Sequence, residues 1–294
     1  MTEVADSRGN ERLEQALTLV KGLPPLSPMV RHLLAAASAP DDSTSLTEIA
    51  GMIERDPVTA GKVLALANSA FYARSAPILS IRQAVSRLGL NAIRNLVLSV
   101  SFSGHWNRIP TPAAWSTSRF NTHSIATAIL AETIASALAP EKMELAFLAG
   151  LFHDLGRLIV AVLLRDEEET FRRLQQSEHV GLEWAESALL GFSHAELSAA
   201  IVASWKLPAP IEMAVRFHES PLDDPDRALS PGVPLCDIVH VADCYTDQQG
   251  LSISGSKAPE ERTGRALEEL GLGIDDADIL PQFQDQLEVL MSIL

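Results

Sequence analysis

The chain has 294 residues, 47% hydrophobic, 5% aromatic and 21% charged, a globular composition long enough for one large domain or two modest ones. Thirty-eight acidic residues against 23 basic ones give a formal net charge of −15, which repels a phosphate backbone and argues against free-standing nucleic-acid binding. Arg82, Arg87 and Arg94 are the candidates for a local basic patch, and read more simply as a solvated helix face.

The amino terminus, MTEVADSRGNERLEQ, is polar and lacks the apolar core of a signal peptide, so residues 1–19 read as an extension. Ser45 and Glu48 form a capping-box pattern ahead of Ile49 and Ile53. Asp56-Pro57 offers an N-cap and an N1 proline. Ser80 opens a segment in which Ile81, Ala84, Val85 and Leu88 keep a 3.6-residue period. Further helices are expected near 28–38, 91–103, 113–138, 142–164, 168–176, 182–190, 194–205, 210–218 and 234–247. No sustained alternation is bounded by hairpin turns, so the predicted fold class is all-α.

Two prolines in NRIPTPAAW, residues 107–115, suggest a boundary. It divides an N-terminal helical lobe, 20–110, from a helical bundle, 111–250. Residues 251–294 then form a polar loop (ISGSKAPEERTG) and a tail of two short amphipathic helices. Cys236 and Cys244 share one apparent helix, match no metal-ribbon spacing, and read as small core residues. The longest apolar run, Leu145 to Leu164, is interrupted by His153, Asp154 and Arg157. No membrane span is expected from it, and the chain reads as a cytoplasmic protein.

That interruption carries chemistry. Burying an imidazole and a carboxylate is costly unless they are paired or bound to metal. His153-Asp154 has company in His123 upstream and His194, His218 and Asp243 downstream, each in its own helical pattern. Helices of a bundle can aim such groups at one interior point. His123, His153, Asp154 and Asp243 form a candidate metal set suited to iron, manganese or zinc. His194 and His218 are candidates for a second ion or for phosphate contacts, and two ions would polarise a phosphoryl group and activate water.

Each residue alone has a plainer explanation. His123 follows a polar helix start, His194 follows the capping residue Ser193, and His218 suits a helix C-terminus. Asp243 has no capping role and an apolar setting. His240, one turn before it, reads as a surface residue. His32, His105 and His179 have no constellation to join. A buried polar network without metal, with Asp154 paired to a histidine or to Arg157, would satisfy the same residues.

The ordered set of His123, His153-Asp154, His194, His218 and Asp243 resembles the HD superfamily of metal-dependent phosphohydrolases. LPPLSPMVRHLL, SLTEIAGMIERDPVTAGKVLALANSAFY and ILSIRQAVSRLGLNAIRNLVL in the first lobe narrow the match. With AFLAGLFHDLGRL and HAEL-x-AAIVASWKLP in the second, the chain resembles the HDOD family over roughly residues 20–250. The resemblance implies an N-terminal helical lobe packed on an HD-like bundle, in a bacterial signal-transduction protein that acts through a partner protein or a ligand, without catalysis. The alternative it implies is a metal-dependent phosphohydrolase for a nucleotide or cyclic nucleotide, with Arg157, His194 and His218 as candidate catalytic contacts. The chain departs from the related cyclic-dinucleotide hydrolases in three ways. Arg157 stands where they carry lysine, His218-Glu219 stands where two histidines would sit, and their GYP-type loop is missing. Arginine's planar fork does not replace a lysine point charge freely, which weakens the substrate contacts more than the metal ligands.

Overall fold

A computed structural model describes residues 2–23, 26–38, 46–72, 76–106, 109–113, 115–167, 170–171, 173, 182–255, 261–271 and 276–294. Among these the secondary structure is helical throughout, without a strand. Five helices come first: α1 (Thr2–Gly22), α2 (Pro28–Ser38), α3 (Leu46–Ile53), α4 (Pro57–Ala67) and α5 (Ile81–His105). The bundle comes next with α6 (Thr117–Leu138), α7 (Met143–Phe152), α8 (Leu155–Leu163), α9 (Leu182–Leu190), α10 (His194–Ser204), α11 (Ala209–Arg216) and α12 (Leu235–Gln248). Two more, α13 (Glu261–Leu270) and α14 (Asp276–Met291), complete the chain.

Caps define several of these helices. Asp56 accepts a hydrogen bond from the Val58 amide at 3.1 Å and from the Thr59 hydroxyl at 2.6 Å, and Pro57 opens the first turn of α4. Ser80 caps α5, Ser116 caps α6, and Ser193 with Glu196 forms a complete capping box on α10. The box anticipated at Ser45 lies outside the described residues, as does most of the helix anticipated at 168–176. Within α5 the helix breaks at Gly89, whose φ of 79° is a left-handed conformation that suits a residue without Cβ.

α2, α3 and α4 pack on α5 as the first lobe, while α6 and α7 form the central pair of the bundle, flanked by α11 and α12. One continuous apolar core joins the two. Across the junction Phe102 packs on Phe120 with ring centroids 5.5 Å apart, and Trp106 stacks on Trp205 at 6.4 Å. α1, which covers the residues read from the sequence as an extension, packs on α8, α9 and α10, where Arg12 pairs with Glu167. α14 lies on α6, and the Leu294 carbonyl accepts a hydrogen bond from the Lys62 ammonium at 3.0 Å.

Two sequence expectations are corrected. Arg94 is not on a solvated face: its side chain is 3% exposed, with guanidinium nitrogens 2.6 Å from Glu144 and 3.6 Å from Glu132. The helix expected over 142–164 is two helices. By composition Pro140–Leu163 is long and apolar enough to cross a membrane, but the apolar window is 78% buried in the protein and the chain turns at His153-Asp154.

Candidate metal centre

The turn between α7 and α8 organises the site. His153 is the C-cap of α7 and Asp154 the N-cap of α8, yet the Asp154 carboxylate makes no capping bond and faces inward. α10 crosses α8 at Gly156, whose amide donates to the Ser198 hydroxyl at 2.7 Å. This close approach sets His194, the first residue of α10, beside Asp154. α6 supplies His123, the residues just past α11 supply His218, and α12 supplies Asp243. All six side chains are buried.

In every one of the four histidines the δ nitrogen has an acceptor. His123 faces the Leu251 carbonyl at 3.2 Å, His153 the Gly150 carbonyl at 2.7 Å, and His218 the Val215 carbonyl at 2.8 Å. His194 donates to the Glu186 carboxylate at 2.7 Å. A proton held at Nδ1 leaves Nε2 as a bare lone pair, the tautomer that ligates metal. The four Nε2 atoms converge on Asp154. Oδ2 lies 3.4 Å from His123 and 3.5 Å from His153, while Oδ1 lies 3.3 Å from His194 and 3.7 Å from His218. Asp243 Oδ1 adds a fourth donor to the first group, 3.2 Å from His123 Nε2.

Those spacings fit a cation. Donors bonded at about 2.0–2.2 Å to one ion stand roughly 3.0–3.6 Å from one another. The His123 and His153 Nε2 atoms, 3.2 Å apart, need a proton or an ion between them, and among the described residues the buried His194 Nε2 has no hydrogen-bond partner, which protein atoms alone leave unsatisfied. The donor set therefore fits one or two divalent ions of the nitrogen- and oxygen-ligating class, and Asp154 belongs to both groups of donors.

The charges are strongly coupled. Burial lowers the His123 pKa, but hydrogen bonds to Asp154 and Asp243 outweigh it and raise it to about 10. Burial also opposes protonation of His194, where Glu186 prevails and raises the pKa to about 9. His218, buried beside His153, falls to about 4. Asp154 and Asp243 sit well below the usual carboxylate range, because the surrounding imidazoles override the cost of burial. Burial and the neighbouring Asp243 push Asp247 up to about 6.

Of the sequence candidates, His123, His153, Asp154, His194, His218 and Asp243 come together, and Arg157 joins them with Nη1 3.1 Å from Asp154 Oδ2. His240, expected at the surface, instead donates from Nδ1 to the His218 carbonyl at 2.6 Å and holds that residue in place. Four further residues were not anticipated as site residues. Asp247 is one turn beyond Asp243, an i,i+4 carboxylate pair that the sequence does display. Glu186 and Glu219 approach His194. Arg262, from α13, donates to Asp247 Oδ2 at 2.8 Å and to Asp243 Oδ2 at 3.3 Å, and no local sequence signal marks it. A cavity of about 630 Å³ opens on this outer side, walled by Arg157, Glu186, Asp247 and Arg262 with Trp115 and Phe171.

Solved structures share this architecture. An HDOD domain protein of unknown function from Geobacter sulfurreducens is 24% identical and covers 97% of both chains with a TM-score of 0.72. A protein from Shewanella amazonensis SB2B, described as a candidate metal-dependent phosphohydrolase, is 22% identical, covers 98% of this chain and 99% of its own, and gives 0.63. At these identities the likeness is one of fold. An uncharacterized protein of Treponema pallidum (strain Nichols) is 24% identical over 202 residues, 68% of this chain. The chain spans only 38% of the length of that curated relative. The HDOD domain family model matches residues 23–221, more than half of the sequence, and the chain belongs to the HDOD domain family.

Proposed function

We propose that this protein is a regulatory module that holds one or two divalent ions around Asp154 and binds a phosphate-bearing small molecule at them. The observation that carries the reading is the division of labour at Asp154, with one oxygen toward His123 and His153 and the other toward His194 and His218. Bound ions would supply Lewis acidity toward a phosphoryl oxygen. His123, His153 and Asp243 would hold one, His194 and His218 the other, and Glu186 fixes the His194 tautomer. Arg157, tied to Asp154, presents its guanidinium to the cavity. The family resemblance supports a signalling role in a bacterial cytoplasm, with occupancy of the site passed to a partner protein.

A regulatory rather than hydrolytic role is favoured by the outer face of the site, where Arg262 lies across Asp243 and Asp247. Hydrolysis of a nucleotide or cyclic nucleotide is the second reading, favoured by the cavity that reaches Asp243. The deciding experiment is metal analysis of protein purified without an immobilised-metal column, followed by a panel of phosphoesters and cyclic nucleotides. Stoichiometric metal, lost in Asp154→Ala, with no turnover supports the regulatory reading. Turnover that vanishes in Asp154→Ala would replace it with the hydrolytic one. Absence of metal at any loading would leave a buried polar network.

A further inference from the structure

Arg262 is placed oddly for a residue of a peripheral helix. Its guanidinium spans the second oxygens of two carboxylates, and Glu219 Oε2 lies 4.0 Å away. Asp243 is thereby divided: Oδ1 faces the His123 and His153 imidazoles while Oδ2 faces Arg262. A cation drawn to Asp243 or Asp247 must compete with this guanidinium.

The formal charge of the site sets the sign of the ligand it accepts. Among the described residues Asp154, Glu186, Glu219, Asp243 and Asp247 face two guanidiniums, Arg157 and Arg262, a balance of −1 while His123 and His194 are charged and −3 once they are neutral. Two divalent ions would turn this to +1. The cluster therefore repels an anion when metal-free and attracts one when loaded, in a chain whose net charge is −15. Arg262 also has room to move. It forms part of the wall between the 630 Å³ cavity and a second cavity of about 370 Å³ walled by His240, Cys244 and Arg265, and its side chain is 33% exposed.

We infer that Arg262 is the anion-selecting residue of this site: it neutralises Asp243 and Asp247 in the metal-free protein, and turns to the phosphoryl group of a ligand once a divalent ion takes Asp243. Metal and phosphoryl ligand then bind with positive coupling, and α13 reports which state is present. The inference rests on the proposed metal-loaded reading and names the residue that selects the ligand's charge. A guanidinium suits the task because its fork matches two phosphoryl oxygens at once.

The test uses the full chain, manganese, and methylphosphonate as a phosphoryl probe that cannot be hydrolysed. Calorimetry measures each affinity separately in wild type, Arg262→Gln and Arg262→Lys. Arg262→Gln is expected to bind manganese more tightly, since its competitor is gone, and the manganese-loaded variant to bind methylphosphonate about tenfold or more weakly. Arg262→Lys, which keeps the charge without the fork, falls between. Opposite changes in the two affinities cannot come from simple loosening of the site, which weakens both. Manganese uptake with methylphosphonate affinity unchanged in Arg262→Gln would overturn the inference and leave the metal reading intact. Parallel loss of both ligands would overturn it in favour of a scaffold role. Failure of wild type to take up manganese would remove the metal reading and this inference together.

Discussion

A Cβ added to Gly156 would stand 2.0 Å from the carbonyl oxygen of His194. α8 and α10 touch backbone to backbone there, and that contact sets the distance between Asp154 and His194. Gly156→Ala must part the two helices. Overpacking of this kind costs about 1–3 kcal/mol. The expected result is a lower unfolding temperature and a metal stoichiometry reduced by the ion nearest His194. Thermal unfolding with metal analysis checks it, and an alanine variant with full stability and full metal content would show that the helices are not locked at this point.

Glu186 would act on a bound ion through His194. It accepts from both the backbone amide and Nδ1 of that residue, each at 2.7 Å. Glu186→Gln keeps the shape but removes the charge that makes the imidazole a better donor. Loss of such a support typically weakens metal binding about 10- to 100-fold. Competition against a chromogenic chelator measures it, and an unchanged affinity would place the second ion elsewhere.

Metal uptake should expel protons. In the metal-free protein the His123 and His194 pKa values are raised to about 10 and about 9, so both rings carry a second proton, on Nε2, at pH 7. Ligation requires them neutral, so binding releases up to about two protons and affinity strengthens as pH rises toward those values. His218, lowered to about 4, is already neutral and contributes none. Calorimetry in buffers of different ionisation heat reads the release directly. Heats independent of buffer would contradict the assignment of these rings as ligands.

Arg94 predicts a stability effect far from the candidate metal centre. It neutralises Glu132 and Glu144 where the first lobe meets α6 and α7, and Asn95 donates to Glu132 at 2.6 Å. Burial raises the Glu132 pKa despite those partners. Arg94→Met strands a carboxylate and should cost about 3 kcal/mol. Adding Glu132→Gln should recover part of it, as denaturant titration of the single and double variants would show. Equal stability of the two would mean that Glu132 is protonated or solvated once Arg94 is gone.

The helical fold and the six ligand candidates were readable because they rest on local rules. Asp56, Ser80 and Ser193 declare helix starts within four residues, and a histidine or aspartate inside an apolar period advertises its own cost. The break at His153-Asp154 was not readable, since leucine, glycine and alanine around it continue either one helix or two. Arg94 and His240 were misplaced because the residues that pair with them, Glu132 and Glu144 or the His218 carbonyl, come from other helices. Arg262 is the extreme case. Its partners Asp243 and Asp247 are 19 and 15 positions away, across a segment whose composition signals only a loop.

The crossed packing of the chain's two ends has a practical consequence for anyone who would dissect it. α1 leans on α8 to α10, while the last carbonyl is tied to Lys62 in α4. Bisecting the polypeptide at the proline-rich segment near residue 110 would strip each fragment of a wall that the other contributes. Such halves should recover structure by reassociating as a pair, and the intact protein should melt in one step rather than lobe by lobe.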